Sequence, residues 1–399
     1  MKISFPPTRT AALERLSNFV PKAGRDYAAK RNYDLPDQGH PHVSLLSPYL
    51  RHRLLTEEDI LEATLRRYAL GTAEKFVQEV CWRTYWKGWL ELRPSVWSDY
   101  RQHAAGITPN DAIKTAEAGR TDIAAFNAWA QELVETGYMH NHARMWFASI
   151  WIFTLGLPWA SGADFFMRHL IDGDPASNTL GWRWVAGIQT PGKHYIARSS
   201  NISKYTDGRH NPEWRLNTQA EPLSGPPHPA RRAAPEGAEP LPGVKTGVLL
   251  HEDDLSPGWL IERLGGEVFG HASLTCTNGR SHLPVSDHVT SFVNGAVDDS
   301  VSRWSGRLGK TGPITTRPDH IIDWARSEGL EQIVTAYAPV GPTANTLRRM
   351  RPALQEAGIE LVEVLRPWDA AAWPHATHGF FRFKKVIPDL VAHLTSKAA

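Results

Sequence analysis

From about residue 56 to residue 186, apolar side chains recur at helical spacing with few strand-like alternations. The stretch "TAEKFVQEVCWRTYWKGWLEL" (residues 72–92) predicts an amphipathic helix with Thr72 as its N-cap. A second helix is predicted over "NHARMWFASIWIFTLGLPW" (residues 141–159); it is apolar nearly all round, which requires burial. Residues 218–244 are rich in Pro, Ala and Gly and show no period, so they read as an exposed linker. Beyond them the texture changes. "KTGVLLHEDDL", "EQIVTAY" and "IELVEVL" each hold a short strand, with helical patterns in "PDHIIDWARSEGL" and "TANTLRRMRPALQEAG" set around them. The second of these ends on Gly358 as a C′ glycine. Such alternation implies a mainly parallel sheet with helices on both faces. The expected organisation is therefore an all-α region (residues 1–217), a Pro-rich linker (218–244) and a smaller α/β region (245–399). No glycine-rich phosphate loop follows the first strand, which leaves nucleotide binding there without support.

Composition narrows the class. The 399 residues are 41% hydrophobic and 22% charged, ordinary values for a soluble globular chain of two or three domains. No apolar run approaches twenty residues, and "MKISFPPTRT" lacks a signal-peptide core, so no membrane partner and a cytoplasmic location are expected. Cys81 and Cys276 are too few for a disulfide framework, a four-cysteine zinc site or a cysteine-ligated iron–sulfur cluster. Residues 1–215 hold 26 Lys and Arg against 22 Asp and Glu, while the remainder holds 18 against 20. A mildly basic first half permits a polyanionic partner without requiring one. Eleven of the 16 tryptophans also fall there, where core packing is their default use.

The densest chemistry lies in "LIDGDPASNTLGWRW" (residues 170–184), which crowds Asp172, Asp174, Asn178, Trp182 and Trp184 together. Ionised carboxylates are rarely buried without a partner. Asn141, Arg144 and Met145 share one face of the second helix, so a buried Arg144 could pair with Asp172 or Asp174. Taken alone, that would be a structural ion pair. Asp172-Gly-Asp174 is also a short DxD motif, but no His or carboxylate cluster follows at ligand spacing, and no metal is expected. Glu79 and Arg83, four apart, would on their own be an ordinary surface pair, with Trp82 beside them in the core.

Together these pieces resemble the flavin-binding domain of DNA photolyases and cryptochromes. "VSLLSPYL" (residues 43–50) is similar to the family's serine-rich loop, "FVQEVCWRTYW" (76–86) to its active-site helix and "TGYMHNHARM" (136–145) to its flavin-facing helix. "LIDGDPASNTLGWRW" is similar to its longest signature, and order and spacing agree across roughly residues 25–190. The resemblance implies FAD as cofactor. It places Tyr27, Ser44, Ser47 and Arg83 at the dinucleotide's phosphates, with Leu46 contributing backbone. Arg144 and Asp172 match a pair at the isoalloxazine edge, and Asp174 a contact to the flavin N3 and O4 side. Asn178 matches the side chain facing flavin N5, where an amide favours the fully reduced anionic flavin. Trp182 and Trp159 match the proximal and middle members of an electron-hopping chain. No distal member has a counterpart, though Trp97 or another indole could substitute. Glu79, Trp82, Asn141 and Met145 match residues lining the lesion pocket, with Asn141 also counted toward the cofactor.

By this resemblance the chain is a light-driven lyase that splits cyclobutane pyrimidine dimers, by electron transfer from excited reduced FAD. It would act on UV-damaged DNA as a monomer. The 6-4 photolyases carry histidine where Asn141 and Met145 stand, which favours the cyclobutane type. Tyr138 replaces a tryptophan common in its helix, and "GKHYIARSSNISKYT" (192–206) differs from the family's usual run. "GVLLHEDDL" and "HGFFRFKKVIP" resemble the opening and closing segments of the antenna domain, normally first in the chain. The implied fold is thus an all-α photolyase-type FAD domain followed by an antenna-like α/β domain moved to the C-terminus. Whether it takes an antenna chromophore is left open. A cryptochrome-like photoreceptor without repair activity is the alternative, and a flavin redox enzyme working in darkness is a third reading.

Overall fold

A computed structural model of the chain describes residues 3–396; Met1, Lys2 and residues 397–399 lie outside the described residues. The first half is helical. The Leu70–Glu91 helix is its longest element there and packs against the Pro175–Ala186 and Glu57–Leu65 helices. It starts two residues before the expected Thr72 cap, from Ala69, which makes no side-chain cap bond. The predicted second helix is shorter than the pattern implied. A regular helix runs over Asn141–Ser149 and continues as one π-helical turn, Ile150–Thr154. The chain then turns through Gly156 at φ +66°, and a new helix, Trp159–His169, begins after Pro158. An apolar run that is buried on every side hides such a break, because its periodicity carries no phase. Residues 218–244 hold no helix or strand until the approach to the first strand, and they are largely exposed.

The second half carries five parallel strands: β1 (Thr246–His251), β2 (Gly270–Leu274), β3 (Lys310–Thr315), β4 (Gln332–Ala336) and β5 (Glu360–Val364). Their order is β3-β2-β1-β4-β5. All of β1 is buried, and its side chains alternate between the two faces as the pleat requires: Leu249 joins Ile321, Trp324 and Leu347 on one face, while Val248 and Leu250 meet Leu260 and Ile261 on the other. The C-terminal helices leave the sheet. Trp368, Trp373, Phe380, Phe383, Val391 and Leu394 join the core of the helical half. Gly88 permits this contact, since a Cβ there would stand 2.9 Å from Trp373 and Ala376. No helix among the described residues is long and apolar enough to cross a membrane.

Candidate functional site

Three helices and one short turn converge on the two aspartates of "LIDGDPASNTLGWRW". Asp174 is the N-cap of Pro175–Ala186 and accepts a 2.8 Å hydrogen bond from the Ser177 N–H, with Pro175 at the first helical position. Asp172, 3% exposed, accepts a 2.9 Å bond from Arg144 Nη2 on the Asn141–Ser149 helix. The expected pairing of Arg144 with one of the two aspartates is therefore present, and Asp172 is the partner. Arg144 and then Arg83, with the Ser47 hydroxyl, hold Asp172 below the usual carboxylate range although burial opposes ionisation.

Arg83 also reaches toward Asp174, at 3.6 Å, rather than pairing with Glu79. Lys87 Nζ and Arg51 Nε stand 3.9 Å from the same carboxylate. Lys87, Arg83 and Arg51 depress the Asp174 pKa against the cost of its burial. Lys87 itself is pushed down by burial, with Asp174 acting in the opposite sense. Glu79 has a different partner, Arg31 Nε at 3.8 Å. Burial pushes its carboxyl up, while Arg31 and Lys75 counteract. The ordinary surface pair between Glu79 and Arg83 is thus replaced by two separate contacts, Glu79 with Arg31 and Arg83 with Asp174.

Three buried polar atoms in this cluster have no hydrogen-bond partner: Arg83 Nη1, Lys87 Nζ and Asp172 Oδ1. Groups left so are costly unless something meets them. Arg83 Nη1 and Lys87 Nζ stand 3.6 and 3.9 Å from the Asp174 carboxylate, and with Asp172 Oδ1 they make a donor and acceptor set that suits a ligand with phosphate or ring-carbonyl acceptors and an imide N–H. Ser47 opens the Ser47–Arg51 helix, and the Ser44 hydroxyl accepts from the N–H of Leu46 at 3.4 Å. Asn178 Nδ2 donates to the Ala163 carbonyl at 2.8 Å, which fixes the orientation of its amide. Tyr27 packs edge-on against Phe76 at 5.1 Å, and burial and then Glu79 raise its hydroxyl pKa. Ser47, Arg83, Arg144, Asp172 and Asp174 form one contiguous set; Tyr27 sits with Glu79 and Arg31 instead.

Asn141 is exposed at the start of its helix, with Met145 half-buried one turn on. Trp82 is half-buried, and one face of its ring is covered by Phe380 at 3.7 Å and 12°. Trp182 packs within 5.1 Å of Phe166, and its Nε1 has no partner. Gly162 makes room for it, since a Cβ there would fall 2.3 Å from the indole. Trp159 continues through Tyr100 at 5.7 Å to Trp97 at 5.4 Å.

Lys87, Arg51 and Arg31 were not singled out from the sequence. Arg51 had a visible signal, because "RHR" interrupts the apolar run "SPYL…LLT". Asp34, His40 and Glu132 also place one ligand atom each within 4.8 Å of one another. Arg209 already meets Asp34 at 2.9 Å, and His40 Nε2 meets Glu132 at 2.9 Å, so this cluster is a hydrogen-bonded ion network.

Residues 76–212 match the family described as the FAD binding domain of DNA photolyase. Over these residues the helical half is similar to the flavin-binding domain of photolyases. The chain is 36% identical over 150 residues to a deoxyribodipyrimidine photo-lyase of Streptomyces griseus, covering 37% of this chain and 33% of that one. It is 31% identical over 188 residues to the corresponding protein of Agrobacterium fabrum, covering 45% and 38%. A solved bacterial class III photolyase from Agrobacterium tumefaciens matches at 29% identity and TM-score 0.42, over 50% of this chain and 42% of that one. The chain thus spans about a third to two fifths of the length of these two curated relatives. The matched family is described as FAD-binding, and the atoms of Arg83, Lys87 and Asp172 that make no hydrogen bond offer donors and an acceptor to such a group.

Proposed function

We propose that this chain is a DNA photolyase that splits cyclobutane pyrimidine dimers under blue light. The observation that carries the reading is the convergence of Arg144–Asp172, Arg83 and Asp174 beside a helix that also bears Glu79, which Arg31 and Tyr27 flank. Arg83, Arg144, Asp172, Asp174 and Asn178 would hold the cofactor, with Ser44, Leu46 and Ser47 at its phosphates; Tyr27, which sits with Glu79 and Arg31, would reach it from that side. Reduced FAD, when bound there, would supply the light-driven electron donation on which dimer splitting depends.

The chain's own residues do the rest. Arg144 and Arg83 keep Asp172 ionised, so a fixed acceptor faces the cofactor site. The Asn178 amide is oriented by Ala163. Glu79 is half-buried, burial pushes its carboxyl up while Arg31 and Lys75 counteract, and it would hydrogen-bond the pyrimidine edge of the lesion. Asn141, Met145 and the half-buried Trp82 would line the pocket for a lesion turned out of the stack. Extrusion costs a few kcal/mol, less at a damaged pair. In the same reading the protein is monomeric, and its α/β half is an antenna-like domain placed after the helical half and the linker.

The test is incubation of the purified protein with a dimer-containing oligonucleotide under blue light and in darkness, scoring recovery of intact thymines. Recovery in light alone supports repair. Bound flavin without recovery would make the protein a cryptochrome-like photoreceptor, and turnover in darkness with a nicotinamide reductant would make it a flavin redox enzyme.

A further inference from the structure

The short Phe380–Phe383 helix points one aromatic ring into water. Phe381 is 85% exposed, while its neighbours Phe380 and Phe383 are buried. A single exposed phenylalanine on a loose loop would mean little. This one is held rigidly. Phe380 stacks on Trp82, Phe383 packs 5.6 Å from Tyr85, and the Tyr85 hydroxyl donates to the His378 carbonyl at 2.7 Å. Trp82 lies one helical turn from Glu79, so the corner borders the proposed lesion pocket.

The surroundings are basic. Arg382 and Lys385 are exposed, and Arg382, Arg231 and Arg93 all act electrostatically on His378. Glu74 and Asp389 are acids of the same neighbourhood. Lys384 meets Glu74 at 2.8 Å, and Asp389 begins the next helix. Apolar ring and cationic rim together match a nucleic acid, whose bases offer faces and whose phosphates offer charge. A protein partner of like composition would leave these cations unmet.

We propose that this corner is a DNA contact outside the flavin site, in which Phe381 stacks on a base beside the lesion while Arg382 and Lys385 hold flanking phosphates. The proposal rests on the photolyase reading and adds to it a surface in the C-terminal half. The test measures binding of the full-length protein to a dimer-containing duplex and to the undamaged duplex at several salt concentrations. Phe381→Ala should weaken binding to the damaged duplex about tenfold, as expected for one lost base–aromatic stack, and Phe381→Trp should restore it. FAD content and melting temperature should stay at the wild-type values. The double variant Arg382→Gln, Lys385→Gln should flatten the salt dependence by about one unit of slope for each contact removed. Undiminished binding by Phe381→Ala, with the wild type binding normally, would overturn the proposal. A shift from dimer to monomer on the same substitution would overturn it too, making a second copy the occupant. If the wild type itself failed to prefer damaged DNA, the photolyase reading would fall and this contact with it.

Discussion

Arg144 and Asp172 are each other's main compensation. The carboxylate is buried, its second oxygen makes no hydrogen bond, and Arg144 leads the groups that offset its desolvation, ahead of Arg83 and Ser47. Either Arg144→Ala or Asp172→Ala should therefore lower FAD occupancy after purification. Removing one member of a buried pair also costs about 3–5 kcal/mol of stability. Flavin absorbance per protein and a melting curve check both, and full occupancy with normal melting in both variants would remove the pair from the site. Trp182 tests a separate role. Its indole N–H makes no hydrogen bond, so Trp182→Phe loses volume but no partner, at a cost of about 1–3 kcal/mol. The variant should bind FAD, fail to photoreduce it with an external thiol, and still split dimers once reduced with dithionite. Lost repair after chemical reduction would assign Trp182 to the lesion or the fold instead.

At the scale of elements, Trp159, Tyr100 and Trp97 form an aromatic row that, in the proposed reading, would carry the electron onward from Trp159. Trp97→Phe should slow photoreduction without changing repair by the pre-reduced enzyme, measured as the decay of oxidised-flavin absorbance in steady light. The ladder was only half legible. Trp97 stood out as one indole among many, but nothing in its spacing tied it to Trp159; Tyr100 does so across two helices. The Arg144–Asp172 pair was legible because both residues lie in dense local patterns. Strands β2 and β3 were not. "GHASL" has no β-branched residue, and "KTGPIT" carries a glycine and a proline, which an edge strand tolerates and a sequence pattern penalises. The packing of Phe380 on Trp82 spans about 300 residues of chain, beyond any periodicity.

Across the whole molecule, buried charge joins the two halves. Arg53, in the left-handed region at φ +51°, meets Asp369 at 2.7 Å and Asp254 at 3.3 Å, and Arg366 meets Asp254 at 2.7 Å. Arg51 pairs with Asp253, and His52 bonds the Glu252 carbonyl at 2.6 Å. These contacts fill the space beyond the carboxyl end of β1, beside the β1–β4 step where open sheets of this kind usually take ligands. The helical half thus docks where the α/β half would otherwise be open. Arg53→Ala should cost about 3–5 kcal/mol and loosen both halves in one cooperative transition; two separate transitions in the wild type would contradict this. Acid should act on the same body. Burial lowers the pKa of His52 and His140, and lowers His142 and His169 to about 4 from 6.5. The unfolded chain then takes the proton first, so stability present above 6.5 is lost as pH falls toward about 4, and the melting temperature should drop across that window. The central claim, repair driven by light absorbed at the flavin, is tested most directly by the action spectrum of dimer cleavage on a defined oligonucleotide. Cleavage should follow the absorption of the bound reduced flavin and vanish in darkness; cleavage in the dark, or none at wavelengths the reduced flavin absorbs, would contradict it.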